Sequence, residues 1–154
     1  VYREEALKQE ELHYPGLDIR ISNILYEKDP FGEVNTITIS LAISNMSKKT
    51  ISGMDLTLIN DYDVMFNPSI FGDTKLMFSQ LKPGDRFAGR ISFAVDNVKH
   101  TFWLNVNDRA TNKPLARISL DNAYKKVSKD VKKRNEKMGA GKKNYYKEDD
   151  PFDI

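Results

Sequence analysis

Apolar and polar residues alternate with a period of two along several short stretches of the chain. The clearest alternation covers residues 36–44, where Ile37, Ile39, Leu41 and Ile43 are separated by threonine, serine and alanine. Successive side chains of a β-strand point to opposite faces, whereas a helix would spread these four residues over several faces. The pattern therefore predicts a half-buried strand.

Residues 81–95 carry a Pro-Gly-Asp turn followed by a second alternation. The positions that share one face are Phe87, Gly89, Ile91, Phe93 and Val95. Five inward positions on one strand need a facing sheet to cover them, so we predict the central strand of a β-sandwich. A glycine inside such a strand is typical of a bulge or of a close approach between sheets, and we expect one of these at Gly89.

Further strands are predicted at residues 17–26, 51–60, 75–81, 101–106 and 115–120. On the first of these, Leu17, Ile19 and Ile21 alternate with polar residues, which indicates a half-buried strand. Met54, Leu56 and Leu58 are expected on one side of the third strand, and Trp103 is expected on the outer face of the strand at 101–106. Six or seven short strands with turn residues between them predict an all-β fold, an immunoglobulin-like antiparallel β-sandwich of about seven strands. A parallel α/β fold is excluded because the sequence has no crossover helices.

The two ends of the chain differ in composition from the middle. Residues 1–15 are charge-rich and end at Pro15-Gly16, so we predict a short N-terminal stalk or helix. Residues 16–121 form the predicted sandwich, and residues 122–154, here called the basic tail, are expected to be partly helical or disordered. Within the tail, Val127, Val131 and Met138 make a stripe that is too thin to hold a helix against a core.

Positive charge is concentrated in this tail. The whole chain has a net charge of +2, yet residues 125–147 contain ten basic and only two acidic side chains. Such a segment can bind an anionic polymer or a membrane surface, or it can simply be a solvated extension. Its candidate partner-binding residues are Lys132, Lys133, Arg134, Lys142, Lys143, Tyr145 and Tyr146.

The chain ends in acidic residues around one phenylalanine. Asp149, Asp150 and Phe152 are the candidate contacts of this end, which is similar to the acidic tips of bacterial single-stranded-DNA-binding proteins and to Asp-Pro-Phe adaptor peptides. In such peptides the aromatic ring fills a pocket while the carboxylates meet basic residues. The same tripeptide also occurs at Asp29-Pro30-Phe31, so it arises easily.

Residue types that carry catalysis are sparse. The chain has no cysteine and two histidines, His13 and His100, and it has no nucleophile elbow of the G-x-S-x-G type. We therefore expect a non-enzymatic protein without catalytic residues, metal or cofactor. Asp61, Asp63 and Asp73 flank one loop and could bind Ca²⁺, but they lack the calcium-loop spacing, and solvated turn aspartates are the alternative.

From residue 17 to residue 104 the sequence resembles a family of immunoglobulin-like domains of unknown function in bacterial lipoproteins and secreted proteins. The resemblance is carried by TITISLAISN, ISGMDLTLIND and FSQLKPGDRFAGRISFAV. The matching residues of the last segment are Leu81, Pro83, Gly84, Gly89, Ile91, Phe93 and Val95. The resemblance implies a sandwich in an extracytoplasmic, envelope setting, and it supplies no catalytic residues.

Two functions are compatible with these features. The first is a binding or assembly module of the bacterial cell envelope that contacts another protein and is anchored by a segment upstream of Val1. The alternative is an intracellular scaffold or adaptor whose basic tail and terminal DDPF peptide bind nucleic acid, an anionic surface or a partner protein. No small-molecule cofactor is expected in either case.

Overall fold

The computed structural model describes residues 10–28, 35–70 and 72–137, with side chains described as far as Lys129. In this part of the chain there are nine β-strands, three of them only two residues long, and one α-helix. The strands are β1 (Leu17–Lys28), β2 (Asn35–Asn45), β3 (Ile51–Ser52), β4 (Leu56–Asn60), β5 (Met65–Phe66), β6 (Gln80–Leu81), β7 (Arg86–Val95), β8 (Phe102–Asp108) and β9 (Lys113–Ser119). Helix α1 (Leu120–Lys137) follows β9 directly.

The strands form two antiparallel sheets, with the short β3–β6 pair beside them. One sheet has the order β1-β2-β7 and the other has the order β5-β4-β8-β9. A single apolar cluster contains buried residues of both sheets, including Ile39, Phe93, Leu58 and Leu104. The chain therefore folds as an all-β sandwich with one helix, as predicted.

Strands β2 and β7 confirm the two alternations from which the fold was predicted. Their pairing runs from Asn35–Val95 to Ser44–Arg86 without a register shift. Of the two alternatives expected at Gly89, the bulge is wrong, because Gly89 pairs with Leu41 in the continuous ladder. The Phe87 ring lies where a side chain at position 89 would be. The bulge of this sheet is instead on β1, between Ile21 and Asn23.

The strand predicted over residues 51–60 is interrupted by a 3-10 turn, Gly53–Asp55. Ser52 caps this turn: its Oγ accepts from the Met54 N–H at 3.2 Å, and its own N–H donates to Asp55 Oδ2 at 3.2 Å. The turn shifts the phase of the side chains, so Met54 is 42% exposed while Leu56 and Leu58 are fully buried. The predicted common face of these three residues is therefore wrong for Met54.

Two further expectations about the sandwich are also wrong. Trp103 is buried although its alternation placed it outside, because β8 is a central strand and Trp103 lies between Ile59 and Ser119. Residues 75–78 form turns instead of a strand, and Leu76 and Met77 insert there into the buried interior.

Helix α1 packs on the sandwich despite the thin apolar stripe. Ser119 caps it by accepting the Asn122 N–H at 3.2 Å, and Leu120 is fully buried. The Tyr124 ring meets the Tyr26 ring edge-on, with 5.8 Å between their centroids. These contacts come from Leu120 and Tyr124, which do not belong to the stripe of Val127, Val131 and Met138. No helix in the described ranges combines the length and apolar character needed to span a bilayer.

The N-terminal segment is extended where the structure describes it. Leu12 and Arg117 of β9 exchange two backbone hydrogen bonds of 3.0 Å each, in an antiparallel bridge. The stalk or helix predicted for residues 1–15 therefore does not continue through residues 10–14, and residues 1–9 lie outside the described part.

The contact between Tyr26 and α1 predicts an alkaline instability. Burial, with Asp121 and Tyr124 nearby, raises the pKa of Tyr26 from 10.0 to about 12. Since the folded protein holds this proton more tightly than the unfolded chain, the contribution is complete below pH 10 and is lost as the pH rises from 10 to about 12. We expect urea unfolding of Tyr26→Phe to show a shallower loss of stability over this interval than the parent. Identical pH profiles would contradict the assignment.

Candidate functional site

A groove of about 930 Å³ follows the seam between the two sheets. We call it the seam groove. Its walls are β1, which is one edge of the three-stranded sheet, and β9, which is one edge of the four-stranded sheet. Helix α1 and residues 11–13 border it as well.

The floor of the seam groove is apolar. Leu17, Ile19 and Ile21 alternate along β1 and stay half-buried, although they pack against the core. On the same strand Ile24 is only 2% exposed, and Tyr26 is covered by α1. The helix therefore closes the seam beside the second half of β1 and leaves the first half open. Ala116, Ile118, Ala123 and Val127 complete the apolar lining.

A turn at residues 14–17 carries the chain from one wall of the seam groove to the other. The Leu17 N–H donates to the Tyr14 carbonyl at 3.0 Å, and Gly16 has φ +85°. Pro15 followed by glycine in the left-handed region is the arrangement of a type II turn, which an L side chain at position 16 would strain. The turn is held in place because the Gly16 carbonyl accepts the Met46 N–H at 2.7 Å.

Glu11 fixes the N-terminal wall against the start of α1. Its Oε2 accepts the Ser119 N–H at 2.9 Å, one residue before the helix begins. A carboxylate is favoured there because the first N–H groups of a helix carry partial positive charge. Residues 11–13 are therefore held in place as one side of the groove.

The polar rim of the groove is mixed in sign. It includes His13, Asp18, Arg20 and Lys126. Arg20 Nε and Asp18 Oδ2 are 3.0 Å apart, and both side chains are well exposed. An exposed pair of this kind contributes little to stability, so both groups are available to polar ligands.

Strand β1 adds backbone groups to this apolar floor. In the described part of the chain its ladder partner is β2 alone. In an antiparallel edge strand, alternate N–H and C=O groups point away from the ladder. An open edge beside alternating apolar side chains is the geometry that strand-adding peptides use.

A second, smaller pocket of about 410 Å³ lies between the β2–β3 turn and the β8–β9 turn. Lys49 Nζ lies 2.9 Å from Asp108 Oδ2, and Arg109 Nε lies 3.0 Å from Asp55 Oδ1. The hydrogen bond between Lys49 and Asp108 raises the pKa of the lysine and lowers that of the aspartate. Each cation of this pocket is paired with a carboxylate, and the two pairs join the turns.

The residues weighed for metal binding do not form one site. Asp61 Oδ1 lies 3.0 Å from His100 Nδ1, and the Tyr62 ring meets the His100 ring edge-on at 5.0 Å. Asp73 Oδ1 accepts the Lys75 N–H at 3.0 Å, as a turn aspartate does. Within the described ranges no three His, Cys, Asp or Glu side chains gather as metal ligands.

The predicted partner-binding residues of the basic tail fall outside the described side chains. The backbone of Lys132, Lys133 and Arg134 belongs to α1, and their side chains are not described. The remaining residues are Lys142, Lys143, Tyr145, Tyr146, Asp149, Asp150 and Phe152, and they lie beyond the described ranges. The seam groove was not predicted, although the alternation of Leu17, Ile19 and Ile21 indicates one of its walls.

Comparisons with known proteins identify the fold. No protein-family model matches the chain, and no curated protein matches it. Among solved structures, a predicted lipoprotein of Bacillus subtilis, YcdA, aligns with a TM-score of 0.52 and 19% identity, over 73% of this chain and 39% of that one. An uncharacterised β-sandwich protein of Clostridium difficile aligns with a TM-score of 0.38 and 14% identity, over 65% of this chain and 84% of that one. At this level of identity the likeness to YcdA shows a shared fold alone.

Proposed function

We propose that this chain is a non-enzymatic binding module that takes an extended segment of a partner protein into the seam groove. The observation that carries the proposal is the half-buried row Leu17, Ile19 and Ile21 beside the open edge of β1. A peptide strand placed there gains backbone hydrogen bonds from β1 and completes the burial of the three side chains. Burying apolar surface contributes about 25 cal/mol per Å². The burial of these three side chains by the peptide therefore contributes to its binding free energy.

We further infer that the sandwich is of the immunoglobulin type. Strands β1, β2 and β7 correspond to strands A, B and E of that fold, and β5, β4, β8 and β9 correspond to C′, C, F and G. In this arrangement the seam groove lies between the first and the last strand, where β1 has an open edge and β9 is bridged by Leu12.

The proposed location of the module is the bacterial cell envelope, outside the cytoplasm. The support for it is the similarity in fold to YcdA, a predicted lipoprotein. Because the chain spans 39% of that protein's length, the similarity supports a shared module and leaves the role of the whole protein undefined.

Selection from a displayed library of random twelve-residue peptides tests the groove. We expect the selected peptides to carry apolar residues at alternate positions. Ile19→Arg should weaken their binding about tenfold or more, since one aliphatic contact of 1.5–3 kcal/mol is lost. Val127→Arg, on the helix wall, should act in the same direction.

Ala88→Arg is the matched control, because Ala88 is exposed on β7 in the other edge of the same sheet. It should leave the affinity within twofold of the parent. Circular dichroism of each variant checks that the sandwich is intact. Selected peptides that bind both groove variants as tightly as the parent would overturn the proposal.

A further inference from the structure

Among its described side chains, helix α1 carries three exposed lysines, and of these only Lys126 borders the seam groove. Lys125, Lys126 and Lys129 are all exposed. Leu120 is buried, Ala123 packs on the core, and Tyr124 packs on Tyr26. The orientation of the helix is therefore fixed by its apolar contacts, and the lysines are left in solvent.

The three lysines lie along one side of the helix, which is rich in positive charge. Lys125 and Lys129 are one turn apart, which is about 6 Å along a helix axis. Across the whole of α1 the sequence contains seven basic and three acidic residues, and Lys132 and Lys133 follow Lys129 in the same helix. A projecting basic helix of this kind complements a planar anionic surface.

We propose that α1 holds the domain against a bilayer rich in anionic phospholipid headgroups, through Lys125, Lys126 and Lys129. Its apolar side is already occupied by the sandwich, so α1 makes contact at the level of the headgroups and does not insert. This distinguishes it from an interfacial amphipathic helix, which buries its apolar face in the membrane. Contact by charge alone is reversed by salt, because exposed charges are screened.

The geometry favours a bilayer over a nucleic acid. Proteins that hold single strands combine a basic groove with aromatic platforms on which bases stack. Here Tyr124 is engaged with Tyr26, and the three lysines are exposed on a single helix. Charges along one side of a helix can meet a planar surface together.

Vesicle co-sedimentation with the full 154-residue chain tests this surface. We expect binding to vesicles of phosphatidylglycerol and phosphatidylcholine in equal parts at 50 mM salt, and release at 500 mM salt. Vesicles of phosphatidylcholine alone should not bind. The variant Lys125→Glu/Lys126→Glu/Lys129→Glu should bind about 100-fold more weakly, since each lysine near an anionic surface contributes about fivefold.

The control carries the same change in net charge at exposed lysines of the sandwich, as Lys48→Glu/Lys75→Glu/Lys82→Glu. It should keep most of the binding. Equal loss in both variants would show an effect of net charge and overturn the proposal. Absence of vesicle binding at low salt, binding that resists 500 mM salt, or tighter binding to duplex DNA through the same lysines would also overturn it. Peptide binding in the seam groove is tested separately by the Ile19→Arg variant, because Lys126 also borders that groove.

Discussion

Replacement of Asn45 by alanine is expected to lower the free energy of unfolding by about 3 kcal/mol. Asn45 is fully buried at the end of β2, and its side-chain Nδ2 donates to the carbonyls of Lys49 at 2.7 Å and Leu81 at 2.8 Å. Its Oδ1 accepts the N–H of Ser47 at 3.1 Å and the Ser47 hydroxyl at 2.6 Å. Alanine removes all four bonds and leaves buried groups unpaired, each at a cost of about 1 kcal/mol or more.

Thermal unfolding followed by circular dichroism measures this effect, and we expect the midpoint to fall by about 10 °C. Asn97→Ala is the matched control, because Asn97 is exposed and makes one turn bond, with its Oδ1 accepting the Lys99 N–H at 2.9 Å. It should change the stability by less than about 0.5 kcal/mol. Similar midpoints for the two variants would show that the Asn45 network is not a structural junction.

The role of Asn45 could not be predicted from the sequence. The alternation in β2 predicts a strand that ends near this residue, but its amide partners lie in two different segments. Ser47 and Lys49 are close in sequence, whereas Leu81 is 36 residues away. Periodicity reports which face a residue occupies, and it does not report which distant carbonyl a buried side chain meets.

The limits of periodicity also explain which strand predictions were confirmed and which were wrong. β2 and β7 were predicted because each has one buried face, so their apolar residues recur every two positions. In β8, five consecutive residues from Phe102 to Val106 are buried, and a strand covered on both faces loses that signal. For this reason Trp103 was predicted on the outer face, although it is buried.

The seam groove was foreseen only in part. Leu17, Ile19 and Ile21 were assigned to the inner face of a strand, which is correct. Whether such residues are fully covered depends on α1, and Leu120, which begins this helix, was assigned to the last strand. The open half of the seam follows from where that helix lies, which is a tertiary property.

Gly53→Ala is expected to lower the free energy of unfolding by about 4 kcal/mol or more. Gly53 begins the 3-10 turn that separates β3 from β4, and its N–H donates to the Ser79 carbonyl at 2.9 Å. A methyl group at this position would overlap the backbone carbonyl of Leu76 and lie 2.8 Å from Met77 Cα. Because these atoms belong to the main chain, no side-chain rotation can relieve the overlap.

Residues 76–79 would have to move as a unit, which withdraws Leu76 and Met77 from the interior, where they are 0% and 3% exposed. Urea unfolding at 25 °C measures the change, with hydrogen exchange at residues 75–81 to locate it. Gly84→Ala is the control: Gly84 has φ +95° with open space around it, so alanine there should cost only about 1 kcal/mol of backbone strain. If Gly53→Ala is no worse than this control, the 76–79 segment is free to shift and does not close the core.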